Sequence, residues 1–375
     1  MSTLKATNLE HASNTGDPNI QLYADGSTSI KSLNNSAENL LMNGGMVIRQ
    51  RRYTSPSLAA GTSFGLTDTG YTLDRWRYWK VYGTGQTNVI QVTSNLPPGF
   101  SCGIGAQVAT PTGSSGFYEI FGQVIEGWQS AVLAWGTDSG KPLTVSFWAI
   151  TNVPGRYALW LRNNQASNAS QIGYVTTYEI PTADTWTHCT ITIPAPPVTA
   201  GVSWSTQSAI GVELGWSLAV AAAYQGPADT WQTTNSDGTG ILLGTADCVQ
   251  NWSQTAGNYF RLTGTVANVG AAPKPFVQPN VGTELLACQR YYYRTPHGAY
   301  CVGLTYAGST SLLRIFQIRN PVDMRTTPTV SWTNPVGWTG NPTNDTNNQF
   351  TRIYGTGSST ADASYVLNIE CSAEL

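Results

Sequence analysis

The stretch PLTVSFWAI, Pro142–Ile150, alternates two chemistries residue by residue. Leu143, Val145 and Phe147 fall on one side; Thr144, Ser146 and Trp148 fall on the other. Successive side chains of a strand point to opposite faces, so this alternation predicts a strand with one oily and one polar face. Three further stretches repeat it. In RYALWLRN (156–163), Tyr157, Leu159 and Leu161 oppose Ala158, Trp160 and Arg162. In THCTITIP (187–194), Cys189, Ile191 and Ile193 oppose His188, Thr190 and Thr192. In GVELGW (211–216), Val212, Leu214 and Trp216 oppose Glu213. Turn-forming TDSGKP (137–142), NVPGR (152–156) and NSDGTG (235–240) punctuate the strands. Half-oily strands joined by turns predict antiparallel sheets packed as a sandwich.

Composition agrees. Only 11% of the 375 residues are charged, against about 25% in a typical soluble domain. With so few Lys, Glu and Arg, long surface helices are not expected. The 38 Gly, 20 Pro, 13 Trp and 18 Tyr favour strands joined by tight turns. At about 150 residues per domain, the length predicts two or three domains. A net charge of −2 without a basic run argues against nucleic acid as a partner. The longest apolar run, GWSLAVAAAY (215–224), is too short to span a bilayer, so no membrane insertion is expected. The opening MSTLKATNLEHASN has no apolar segment of a secretory leader. Cys102, Cys189, Cys248, Cys288, Cys301 and Cys371 are scattered, none in a CxxC pair. Free thiols, from assembly in a reducing cytoplasm, are the expectation.

The chain divides into four segments. Residues 1–39 form a polar arm, in which Ala24–Ser27 reads as a hairpin turn between short extended runs. The arm has too few apolar residues for a core of its own. It either stays unfolded or gains a core by associating with copies of itself. Residues 40–272 carry the sandwich pattern. Residues 273–295 begin with three prolines, Pro273, Pro275 and Pro279, which predict a stiff linker. TELLACQRYYYRT (283–295) follows. Leu285, Leu286, Cys288 and Tyr292 fit one stripe of a short helix, with Thr283 as its cap. Its three tyrosines are either a sugar platform or packing at a joint, and the shared stripe favours packing. Residues 296–375 return to a β pattern.

Catalytic motifs are missing. His11, His188 and His297 have no metal-ligand spacing. GxSxG, P-loop, GxGxxG and HExxH patterns do not occur. A glycosidase needs two carboxylates across a cleft, and Glu119, Glu126, Glu179 and Glu213 are the central candidates. The chain is therefore read as a non-enzyme. Trp148, Trp160 and Arg162 lie on polar faces, where tryptophan is not needed for packing. With Glu213 they form a candidate glycan-binding set: ring stacking on indole, hydroxyls on the charged groups. The alternatives are that the tryptophans cover a second layer or a subunit contact, and that Glu213 is a solvated strand residue.

Several motifs resemble virion proteins of tailed bacteriophages, tail-fibre-type chains with a jelly-roll domain akin to carbohydrate-binding modules. NLLMNGGMVIRQR (39–51), YTLDRW (71–76) and QVIEGWQSAVLAWGTDSGKPLTVSFWAI (123–150) carry this likeness. DTWTHCTITIP (184–194), GTELLACQRYYYR (282–294), NPVDMRTTPTVSW (320–332) and SYVLNIECSAEL (364–375) extend it. LKATNLEHASNTGDPNIQLYADGSTSI (4–30) is similar to the attachment segments of such fibres. The resemblance implies an all-β, homotrimeric, noncatalytic virion component. It would dock on other virion proteins through residues 1–39 and attach the particle to host surface polysaccharide. A capsid decoration or head-fibre protein is the alternative within the group. Modules of this type often hold a structural calcium through acids near the first and last strands. Here NGGM (43–46) has no acid, and Asn268 in LTGTVANVG (262–270) stands where the second would fall. No cofactor is assigned.

Overall fold

A computed structural model describes residues 8–9, 20–22, 28–30, 39–51, 64–66, 70–81, 84–112, 118–163, 171–233, 242–249, 252–295, 300–301, 312–336, 338, 341–357 and 364–375. In the arm, β1 (Asn8–Leu9), β2 (Ile20–Leu22) and β3 (Thr28–Ile30) form a small antiparallel sheet. The pairing of Leu22 with Thr28 matches the expected hairpin, whose turn residues lie outside the described set.

The main body runs β4 (Phe64–Leu66), β5 (Gly70–Tyr71), β6 (Arg77–Val81), β7 (Gln86–Val92), β8 (Gly103–Thr110) and β9 (Tyr118–Glu126). A short helix α1 (Gly127–Ser130) crosses to β10 (Leu143–Thr151), β11 (Gly155–Arg162), β12 (Gly173–Ile180) and β13 (Thr187–Ile193). Then come β14 (Ile210–Val220), β15 (Thr230–Gln232) and β16 (Tyr259–Val269). Two sheets result, with orders β13-β10-β16-β8-β7-β4 and β15-β12-β11-β14-β9-β6-β5. The chain changes sheet repeatedly, and neighbouring strands of these two sheets pair antiparallel, which makes a jelly-roll sandwich. The inner faces meet as predicted: Leu143, Val145, Phe147, Tyr157, Leu159, Leu161, Cys189, Ile193, Leu214 and Trp216 share one buried core.

On the outer face of the seven-stranded sheet Trp160 takes the alternative of a covered second layer rather than that of a ligand surface. A second core lies on the far side of the seven-stranded sheet, where Trp79, Ala158, Trp160, Val175 and Val220 pack beneath Leu242, Leu243 and Cys248. The covering segment follows β15, so this sheet is packed on both faces, by the six-stranded sheet on one and by this segment on the other. Alternation shows that a strand has two faces; it does not show which of them meets water. Room for the indoles comes from glycine. Trp160 sits opposite Gly215 across the ladder, where an added Cβ would lie 2.5 Å from the indole.

After β16 the proline-rich stretch lies along the sandwich, with Phe276 5.3 Å from Phe100. It leads into α2 (Val281–Gln289). The cap is Asn280 rather than Thr283: its side chain accepts the Gly282 and Thr283 N–H groups. The predicted stripe also shifts, because Leu286 is exposed while Glu284, Cys288 and Gln289 are buried.

A smaller β domain follows. β17 (Tyr292–Arg294), β18 (Tyr300–Cys301) and β20 (Thr329–Val336) pair with β23 (Ser364–Ser372). β19 (Leu312–Arg319), β21 (Thr343–Thr346) and β22 (Phe350–Gly357) form the facing sheet. Met324, Ile353, Ile369, Cys371 and Ala373 are its core. The three tyrosines divide at the joint. Tyr291 lies under the Arg75 guanidinium at 3.6 Å, Tyr292 under Arg51 at 3.8 Å, and Tyr293 packs on the smaller core. They are joint packing.

The last residues are bound back into the jelly roll. Glu374 pairs with Arg51 at 2.8 Å and with Arg75, all three nearly buried. Arg325 donates to the Ala373 and Glu374 carbonyls and to Ser208 of the sandwich. The Tyr71 hydroxyl donates to the Leu375 carbonyl at 2.7 Å. Among the described residues no helix is long and apolar enough to cross a membrane. Cys102, Cys189, Cys248, Cys288 and Cys371 are free thiols.

Candidate functional site

The four residues singled out from the sequence do not assemble into one groove. Trp148, on β10, belongs to the six-stranded sheet; Trp160, Arg162 and Glu213 belong to the other. Trp160 is 1% exposed and forms part of the second core, 6.3 Å from Trp79, so no face of its indole is offered to a ligand. Arg162 and Glu213 stand opposite each other on neighbouring strands and form an ion pair. Directly opposed cross-strand residues of opposite charge attract, and this contact takes up both groups. Trp148 is half-buried, 5.0 Å from His188 and against the bulge at Gly264.

Two of the other central carboxylates, Glu119 and Glu126, are similarly engaged. Glu119 pairs with the buried Lys80 at 2.7 Å and accepts the Tyr78 hydroxyl at 2.6 Å. Glu126 pairs with Arg290 at 2.8 Å and accepts from the Tyr291 hydroxyl. Glu179 is exposed on β12, opposite Arg156. At the two places where such modules carry calcium-binding acids, this chain has asparagines that are already committed. Asn43 accepts from Ile48 N–H and donates to the Ile48 and Asp74 carbonyls. Asn268 donates to the Ala272 carbonyl at 2.9 Å and accepts the Lys274 N–H at 3.1 Å. Among the described residues no group of three His, Cys, Asp or Glu could hold a metal.

The concave surface lies instead at the α1 crossover between the sheets. After β9 the chain makes α1 and a tight turn over Ala131–Leu133, which ends at Ala134 in the left-handed region (φ 53°). Leu133 and Trp135 turn into the core. Trp128 and Val132, one helical turn apart, stay outside at 56% and 51% exposure. They rim a groove of about 460 Å³, completed by Asn39, Leu40, Gln129, Lys141, Val269 and Lys274. On the opposite side of the same turn is a smaller slot of about 270 Å³, lined by Trp135, Trp204, Thr137 and Ser205. Trp135 and Trp204 meet edge to face at 4.7 Å, and Trp231 stands 5.6 Å from Trp135.

The framework of the groove is fixed by hydrogen bonds. Lys141 N–H donates to the Leu133 carbonyl at 2.9 Å, and the Trp135 indole N–H donates to the Lys141 carbonyl at 2.7 Å. The Asn39 amide bonds Thr265, Leu41 and Ala267 and ties the first strand-like segment to β16. An exposed indole on the rim of a groove that Gln129 and Lys141 also line can stack a pyranose ring and hydrogen-bond its substituents. Sequence reading missed Trp128 because it sits outside the alternating strands. The available signal was the Trp128–Val132 pair, apolar at helical spacing in a segment too short to bury it.

No family model matches the chain, and no curated protein does. Similar solved structures include the enzymatically active domain of bacteriophage CBA120 tailspike protein 4. It shares 13% identity at a TM-score of 0.30 over 52% of this chain, and the match spans 19% of the tailspike chain. A family 11 carbohydrate-binding module of a Clostridium thermocellum cellulosomal cellulase matches 57% of this chain and 97% of its own, at 14% identity and TM-score 0.28. A putative sugar-binding protein from Bacteroides thetaiotaomicron matches 62% of this chain and all of its own, at 12% identity and TM-score 0.30. Every one of these scores lies well below 0.5, and every identity below 25%.

Proposed function

We propose that this chain is a non-catalytic, glycan-binding component of a tailed-phage particle, of the fibre type that attaches to host surface polysaccharide. The observation that carries the glycan reading is Trp128, an indole more than half exposed on the rim of a 460 Å³ groove with Gln129, Lys141 and Lys274 around it. Exposed large apolar groups beside polar ones mark interaction sites. The non-catalytic reading is supported by the carboxylates. None lines the groove among the described residues, and Glu119, Glu126 and Glu213 are held in ion pairs. The virion assignment is supported by the motif resemblance along the chain. It includes docking on other virion proteins through residues 1–39 and assembly as a homotrimer.

A single stacked ring with a few hydrogen bonds gives weak binding, about millimolar or roughly −4 kcal/mol. Three copies on a dense glycan surface raise this by avidity, on the order of 10²-fold. Trp128→Ala should abolish binding to host cells and to a glycan array while leaving the thermal transition in place, since Trp128 is not core. Retained binding by the variant would refute this site. Light scattering on the full chain should give three copies, and a clean monomer at micromolar concentration would refute the trimer. Density for this chain on the tail in a map of the intact particle would establish the fibre role; density on the capsid shell would overturn it.

A further inference from the structure

We propose that the slot on the far side of the α1 turn is a second sugar subsite, one that takes a single uncharged ring, so that one glycan chain lies across the turn from Trp128 into the slot. This rests on the glycan reading of the α1 groove and adds a second site and the class of residue it holds. Trp135, Trp204, Ser130, Thr137, Ser205 and Thr206 supply its aromatic and hydroxyl lining. No charged side chain is among its described lining residues. A charged substituent would lose water there without gaining a counterion, whereas the hydroxyls of a neutral ring find hydroxyls to replace their water. At about 270 Å³ the slot falls just below the roughly 300–1,000 Å³ of sites for drug-sized ligands, which suits one ring.

The walls of the slot are fixed in place. Trp135 stands between Ala134 and Gly136, both in the left-handed region (φ 53° and 85°), and its indole N–H is held by the Lys141 carbonyl at 2.7 Å. Trp204 packs on that turn because residue 136 is glycine: an added Cβ would lie 3.2 Å from its indole. Trp231 braces both indoles, 5.6 Å from Trp135 and 6.0 Å from Trp204. Ser205 Oγ accepts the Gln207 N–H at 3.3 Å, which leaves the hydroxyl its own hydrogen to donate. The segment that carries Trp204, Ser205 and Thr206 is bonded to the start of α1, Gly127 N–H donating to the Ala209 carbonyl at 2.9 Å and Trp128 N–H to the Gln207 carbonyl at 3.0 Å. Groove and slot therefore share one frame: the residue whose indole rims the groove is hydrogen-bonded to the segment that walls the slot. Such preorganisation reduces the ordering cost of binding. Two sites at a fixed separation also make the second contact intramolecular, which raises affinity for a ligand long enough to reach both.

The test is a titration of the full chain with cello- and galacto-oligosaccharides of one to six units, with oligogalacturonates of the same lengths as acidic comparators. We expect affinity to rise at least about tenfold from the monosaccharide to the longer neutral chains, and to rise less for the oligogalacturonates. Ala131 lines the slot from a half-buried position, so Ala131→Gln fills it without removing a core side chain. This variant should remove the rise with length and leave monosaccharide binding unchanged, and Trp204→Ala should do the same. Trp128→Ala should weaken binding at every length. Affinity that is flat with length, or a rise that survives Ala131→Gln, overturns the slot and leaves the glycan reading of the groove intact. An equal rise for the oligogalacturonates overturns the choice of an uncharged ring. Binding of no sugar at any length overturns both readings. Should Trp204→Ala unfold through loss of its contacts with Trp135 and Trp231, Ala131→Gln with an unchanged thermal transition decides the matter alone.

Discussion

At the scale of single residues, Trp160 shows how burial can be deceptive. Its neighbours in sequence, Ala158 and Arg162, share its face, and that face reads as polar. The indole nevertheless lies flat against Gly215 and beside Trp79, under Leu242 and Leu243. Trp160→Ala would leave a cavity in the second core, so a loss of about 3–5 kcal/mol is expected in a denaturant titration. A loss below about 1 kcal/mol would mean that the covering segment does not pack on it. Glu284 gives a pH signature. Burial pushes its carboxyl up, partly offset by the Asn43 N–H it accepts. An unfolded glutamate ionises near pH ~4.3. The cost of ionising Glu284 in the fold is thus absent below that value and complete above its raised folded value. Glu284→Gln removes it. The melting-temperature gain of this variant over the wild type should be larger at pH 8 than at pH 4, and a gain that is flat or falls with pH would contradict the assignment.

At the scale of elements, the strands were readable and their surroundings were not. Period-two alternation in 143–150, 157–162, 187–193 and 212–216 placed the inner residues correctly, because one shared core decides which face is oily. Nothing in that alternation reveals a second layer built from residues far along the chain. That is why the Trp160, Arg162 and Glu213 set, read as a ligand surface, turns out to be an interior indole and a cross-strand ion pair. Trp128 was hidden for the opposite reason: it sits on one isolated helical turn, where strand periodicity gives no warning. The cap of α2 slipped by three residues because Asn280 and Thr283 are both good capping types and only the backbone distinguishes them. The glycine opposite Trp160 offers a direct test. Gly215→Ala would drive a methyl into the indole at 2.5 Å. Overpacking of that kind costs about 1–3 kcal/mol. Pairing it with Trp160→Ala in a double-mutant cycle should recover most of the loss; strict additivity would show that the two positions do not touch.

At the scale of the whole molecule, the joint between the jelly roll and the smaller β domain is charged and buried. Arg51 and Arg75 share Glu374, Glu126 holds Arg290, and Tyr291 and Tyr292 lie under the guanidiniums. Removing one partner from such a cluster leaves an uncompensated buried charge, at about 3–5 kcal/mol. Glu374→Gln should therefore lower the stability of the jelly roll as well as that of the smaller domain. Hydrogen exchange at β6 and β9 would report it, and unchanged protection there would show that the joint is only an adhesive contact. A joint was legible in the prolines and tyrosines of 273–293. It could not give the partners, which lie up to 323 positions apart.

That separation has a consequence for how the chain is made. Arg75 emerges from the ribosome 299 residues before the glutamate that neutralises it. At roughly 5–20 residues per second, the nascent jelly roll waits about 15–60 s with two guanidiniums meant for its interior and no anion to receive them. The sandwich core is complete by residue 269, but the face that carries Arg51 and Arg75 stays uncompensated until the distal tail arrives. Ribosome-bound fragments halted before residue 374 should therefore remain protease-sensitive around Arg51 and Arg75 while the released chain resists.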